Sequence, residues 1–197
     1  GNDDNDLING GAGSDDMRGG TGNDTYIVSS AGDIVREGSN EGTDLVQSYV
    51  THALRSNVEN LTLAGSSNIH GTGNILDNTL IGNSGNNFLR GAGGADTING
   101  GAGADVIFGN DGNDLINGGA GDDDIRGGTG IDTLYGGDGN DTLNGGSGDD
   151  SMSGGDGNDT YFVGSARDIV TENSSEGTDL IKSYVSFTAS SNVENLT

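Results

Sequence analysis

The sequence predicts an all-β protein, a right-handed parallel β-roll or β-helix in which short strands and glycine-rich turns wind as a solenoid. Three observations carry that prediction. A nine-residue pattern runs without a gap through eight copies from Gly91 to Phe162. Each copy holds one regularly placed apolar residue between mostly polar neighbours, the alternation of a strand with one buried face. The composition, with 40 Gly, no Pro, no Cys, no Trp and only 29% hydrophobic residues, cannot furnish an ordinary globular core.

The eight copies read GAGGADTIN, GGAGADVIF, GNDGNDLIN, GGAGDDDIR, GGTGIDTLY, GGDGNDTLN, GGSGDDSMS and GGDGNDTYF. Positions 1 and 4 are always glycine, position 6 is always aspartate, and position 8 is always Ile, Leu, Met or Tyr. Position 8 is expected to point inward, while neighbours such as Thr97, Asn99, Asp124, Arg126, Thr142 and Asn144 point out. The glycines suit backbone conformations with positive φ and mark a tight turn. Two nonapeptides then make one flattened coil of strand, turn, strand, turn, so that every turn stacks on the turn two repeats further along. That stacking gathers Asp96, Asp114, Asp132 and Asp150 on one edge and Asp105, Asp123, Asp141 and Asp159 on the other.

Carboxylates stacked at the spacing of neighbouring strands, roughly 4.8 Å, repel one another and do not stay ionised without a cation between them. The ligands on offer are carboxylates and turn carbonyls, which select a hard, oxygen-loving ion. Calcium fits best. Magnesium is a poorer candidate because it requires a near-ideal octahedron. With no Cys and two His, the repeats hold no thiolate or imidazole site. One small apolar residue per repeat is a thin core, so the array is expected to be loose or unfolded without metal and to fold on binding it.

This spelling, G-G-x-G-x-D-x-U-x, is a calcium-binding β-helix signature, and the eight copies resemble the RTX, or haemolysin-type, repeats of secreted bacterial proteins. The resemblance implies calcium as cofactor, a secreted location, and export of a larger parent protein by type I secretion machinery. In that picture the acidic chain stays unfolded in the calcium-poor cytoplasm and folds outside. The DTYxV and NVENLTL segments are similar to stretches joining repeat blocks in RTX-type proteases, adhesins and mannuronan epimerases. The chain begins inside a repeat and ends inside a strand-like segment, as a piece of a longer protein would.

In chain order, residues 1–27 hold three further nonapeptides that place Asp6, Asp15 and Asp24 at position 6, with Asn2 and Asp4 replacing glycines in the first. One internal ion site, between Asp6 and Asp24, is expected there. Residues 28–90 lose the strict period: β-branched runs DIVRE, TDLVQSYV and NVENLTL are punctuated by Gly32, Gly38 and Gly42. Ala53 to Ser56 is the one stretch where a brief helical turn is expected. Asparagine-rich coils follow, with Asn78 and Asn87 at position 6, where a neutral amide cannot replace a bridging carboxylate. Residues 91–162 form the calcium-binding block. Residues 163–197 are a second, truncated copy of the non-periodic segment: Gly19 corresponds to Gly154, a superperiod of 135 residues.

A formal net charge of −24 at pH 7 argues against nucleic acid and anionic membrane surfaces as partners, and no apolar run approaches the roughly 20 residues of a transmembrane helix. His52 and His70 stand far apart and in unlike contexts, and Phe187 replaces His52 in the second copy, so neither is read as zinc-binding or catalytic. No serine, base and acid are marked as a triad, and the paired carboxylates are explained by the repeat, so the chain is read as a non-enzyme. Asp111, Asp138 and Asp156 at position 3 are turn formers with a secondary prospect of ligation; the N-x-S/T triplets at Asn60 and Asn158 are coincidence. An acidic polysaccharide or cell-surface glycan is the alternative partner. It requires a basic or aromatic outer strip, for which Tyr26, Tyr49, Tyr161, Tyr184, Arg90, Arg126 and Lys182 are the candidates.

Overall fold

The computed structural model describes residues 2–197, and every regular element among them is a strand. All pairings are parallel. Strands alternate between two sheets, one of ten strands and one of nine, with a third pair formed by Asp16–Met17 and Ile34–Val35. The result is a parallel β-solenoid of about 11 turns. Between Phe88 and Asp156 eight consecutive six-residue strands, from Phe88–Gly93 to Ser151–Asp156, supply its most regular part.

Coil length follows from the register. Ile98 pairs with Ile116, Ile116 with Leu134 and Leu134 with Met152, and on the other sheet Leu89 pairs with Ile107, Ile107 with Ile125 and Ile125 with Leu143. Each step is two nonapeptides. These position 8 side chains are essentially inaccessible and form one apolar column from each sheet. Tyr26 and Tyr161 belong to the same columns and are fully buried, whereas their sequence companions Tyr49 and Tyr184 are exposed.

The non-periodic segments belong to the same solenoid with altered coil lengths. Thr25 pairs with Leu45 and Leu45 with Asn60; Thr160 pairs with Leu180 and Leu180 with Asn195. A longer coil followed by a shorter one thus occurs twice, at corresponding places of the superrepeat. The expected helical turn at Ala53–Ser56 is absent: His52–Ala53 is a strand, and Leu54 N–H donates to the Thr72 carbonyl of the next coil at 2.8 Å. Interstrand bonding there outcompetes the local i to i+4 bonds a helix would need.

Candidate metal centre

The turns are built by glycines with two different physical duties. At position 4 the requirement is conformational and steric: Gly130 has φ +128°, and a Cβ there would lie 1.8 Å from the carbonyl oxygen of Gly112 in the coil beneath. At position 1 no left-handed backbone is involved, so the positive φ expected of the turn glycines does not explain these. Gly118 faces inward, and a Cβ on it would lie 2.2 Å from Asp123 Oδ2 and 2.7 Å from the carbonyl oxygen of Gly136. Glycine is needed there because two oxygens converge on the space a side chain would fill.

The aspartates stack in the order the repeat predicts. On one edge, the backbone N–H of Asp96 donates to Asp114 Oδ1 at 2.8 Å, Asp114 to Asp132 at 2.8 Å, and Asp132 to Asp150 at 2.9 Å. On the other, Asp105 donates to Asp123 at 2.7 Å, Asp123 to Asp141 at 2.8 Å, and Asp141 to Asp159 at 2.7 Å. One carboxylate oxygen per residue is therefore satisfied by the ladder. The second, Oδ2, is buried and has no hydrogen-bond partner in all eight, nor in Asp15 and Asp24. A buried acceptor left without a donor is costly, and an ionised one far more so.

Burial accordingly raises these carboxyls. It holds Asp105, Asp132 and Asp141 at about 6 and Asp96, Asp123 and Asp159 at about 7, with the ladder N–H pulling the other way and neighbouring carboxylates adding to several of them. Asp114 and Asp150 are raised by the same burial. Free Oδ2 atoms, aimed in Asp96, Asp105, Asp114, Asp123, Asp132 and Asp141 at the same void as a turn carbonyl, make a hard all-oxygen donor set, which fits calcium. The donors come from flexible backbone as well as from side chains, so irregular calcium coordination suits them better than a magnesium octahedron.

Departures from the motif close this void. Asn87 stands in the ladder, its N–H donating to Asp105 Oδ1 at 2.7 Å, but its own Oδ1 accepts from Asn83 N–H and its Nδ2 donates to the Ile69 carbonyl. Asn78 is satisfied in the same manner, by Asn74 N–H and the Val58 and Glu59 carbonyls. Asp6 is half-buried and accepts from Asn2 N–H, while its own N–H donates to Asp24 Oδ1 at 2.7 Å. Asp111, Asp138 and Asp156 are exposed on the turn surface, away from the inward Oδ2 atoms.

Several acidic residues outside the eleven nonapeptides of residues 1–27 and 91–162 also join the stacks. Asp33 and Asp168 accept the N–H of Asp15 and Asp150; Asp44 and Asp179 accept that of Asp24 and Asp159. A signal for the first pair was present in VSSAGDIVR and VGSARDIVT, which keep aspartate at position 6 and valine at position 8. The longer coil hides the second pair from a fixed period.

A solenoid whose two edges carry ladders of buried, half-satisfied carboxylates is a repeat-built cation-binding scaffold. The model of the RTX calcium-binding nonapeptide repeat matches residues 1–26, 72–107, 99–134 and 135–170. The chain belongs to that family, whose repeats imply calcium binding and whose members are typically secreted bacterial proteins. It is also 38% identical over 69 residues to endo-1,3-1,4-beta-glycanase ExsH of Rhizobium meliloti (strain 1021), a match covering 35% of this chain and 15% of that protein. No helix of the described residues is long and apolar enough to cross a membrane.

Proposed function

We propose that this chain is a calcium-folded spacer of a larger secreted protein exported by a type I system, with ions held at Asp15, Asp24, Asp96, Asp105, Asp114, Asp123, Asp132, Asp141, Asp150 and Asp159. The observation that carries this reading is the column of buried Oδ2 atoms without partners, each beside a glycine held free of side chain. Without metal, an unfolded chain keeps these carboxylates hydrated. With calcium near millimolar, as outside a cell, ligation offsets their desolvation and the coils stack. Calcium then reports location as well as holding the rod together. Catalysis by the parent protein lies with parts other than this rod.

The test is a far-ultraviolet circular dichroism titration with calcium, run beside magnesium. A cooperative coil-to-β transition in calcium and none in magnesium is expected. A chain already fully β in chelator sinks the folding role.

A second reading rests on one column of the outer surface. Register aligns Arg90, Phe108, Arg126, Asn144, Phe162 and Lys182 on successive strands of one sheet. Arg126 lies 5.2 Å from the Phe108 ring centre and Lys182 5.0 Å from that of Phe162. Three of only seven Lys and Arg residues thus interleave with aromatics on an otherwise acidic rod, a strip suited to an acidic polysaccharide. Calcium-dependent retention on a polyuronate but not on a neutral glucan, lost in Arg126→Ala, supports it; equal retention of the variant refutes it.

A further inference from the structure

Both edges of the calcium block must end, and they end in opposite ways. On the edge of Asp150 the last carboxylate is Asp168. Its Oδ1 accepts Asp150 N–H at 3.0 Å and its Oδ2 accepts the N–H groups of Gly164 and Ser165, both at 3.0 Å. That end is closed by backbone donors. On the edge of Asp159, Asp179 accepts Asp159 N–H at 2.9 Å, and residue 172, in the register of a position 1 glycine, is a glutamate.

Glu172 occupies the position 1 register one coil beyond Gly154. Its Oε1 accepts the Gly154 N–H at 3.3 Å and the Tyr161 hydroxyl. Its Oε2 has no hydrogen-bond partner although the residue is only 5% exposed. Asp159 Oδ2, beside it, is equally unpartnered. One carboxylate oxygen from each of Asp159, Glu172 and Asp179 lies within 4.8 Å of the others. Oxygens bound to one calcium at 2.3–2.6 Å fall within such a spread. The arrangement recurs 135 residues earlier, where Asp24, Glu37 and Asp44 converge equally closely, Glu37 meets the Tyr26 hydroxyl and its Oε2 is again unpartnered.

We propose that Asp159, Glu172 and Asp179, and in duplicate Asp24, Glu37 and Asp44, each bind a divalent cation as a carboxylate-only closing site, tighter than the turn sites. The proposal rests on the calcium reading of the turns and adds a distinct class of site to it. An ordinary turn offers aspartates and neutral carbonyls; here a third carboxylate converges with two aspartates, and calcium affinity rises with ligand charge count. A tight terminal ion fixes the first coil onto which the others stack, as a cap does in a solenoid.

The test exploits the tyrosines. The chain has no Trp, and Tyr161 and Tyr26 are the tyrosines whose hydroxyls touch a carboxylate of either trio. Terbium, an oxygen-seeking calcium substitute, is titrated into the full chain under tyrosine excitation, and calcium stoichiometry and affinity are measured by calorimetry. Glu37→Gln with Glu172→Gln keeps an acceptor for Gly154 and Tyr161 but removes both charges. The double variant is expected to lose most sensitised terbium emission at low metal and to bind two calcium ions about tenfold or more weakly, while the bulk calcium-induced β transition persists. Unchanged emission and binding in the folded variant overturn the closing site alone; a wild-type chain without any calcium-induced transition overturns the turn reading instead. Should the double variant not reach wild-type β content in saturating calcium, Asp44→Asn with Asp179→Asn makes the same comparison with both glutamates and tyrosines in place.

Discussion

Asp132→Asn should stabilise the metal-free rod and destabilise the calcium-loaded one. Asp132 is fully buried, its Oδ1 accepts Asp114 N–H at 2.8 Å, and its Oδ2 faces the Gly145 carbonyl across Gly127 without a donor. An asparagine preserves the ladder acceptor and turns Oδ2 into an N–H donor aimed at that carbonyl. Burial raises the Asp132 carboxyl from 3.8 to about 6. At 1.36 kcal/mol per pKa unit, removing it relieves about 3 kcal/mol near neutral pH. In calcium the same change deletes a charged ligand, and the loss of ligation outweighs the relief. Far-ultraviolet circular dichroism at pH 7.5 measures both signs, as the residual β content in chelator and as the urea midpoint in saturating calcium. A variant destabilised under both conditions, or neutral in both, refutes the reasoning.

Proton linkage gives a second expectation. The raised carboxyls bind protons in the folded state that the unfolded chain releases near 4, so their contribution to the metal-free fold is complete below about pH 4 and lost as pH rises through 6 to 7. In chelator, β content should be greater at pH 5 than at pH 8, and calcium added at pH 6 should displace protons measurable by calorimetry in buffers of different ionisation enthalpy; equal β content at both pH values contradicts this. Gly130→Ala meets φ +128° and a backbone oxygen at 1.8 Å, so it should impair stacking with or without calcium, whereas Gly118→Ala displaces the Asp123 carboxylate and should chiefly weaken calcium binding; identical calcium dependence in the two variants would contradict the division of duties. Asn87→Ala should cost about 1–3 kcal/mol of stability through unsatisfied backbone groups with calcium stoichiometry unchanged, and a lost ion would show that the asparagine coil is a site.

The amino-acid sequence by itself determined the strand and turn alternation, the two edges and the residues that line them, because each depends on a period of nine that is local and uninterrupted. Position 8 residues such as Ile116 and Leu134 are inward for the reason any alternating strand residue is. The reason for glycine at position 1 was hidden, since Gly118 answers to Asp123 five residues on and Gly136 one coil on, a crowding that exists only when coils stack. Nor could a fixed period find Asp44 and Asp179, because coil lengthening shifts them by two residues from the register that Asp24 and Asp159 set. Glu37 and Glu172 likewise look like solvated charges in the chain. Only the stacked solenoid brings each of them against two aspartates, since which oxygens converge is a property of coils in contact and not of neighbours along the backbone.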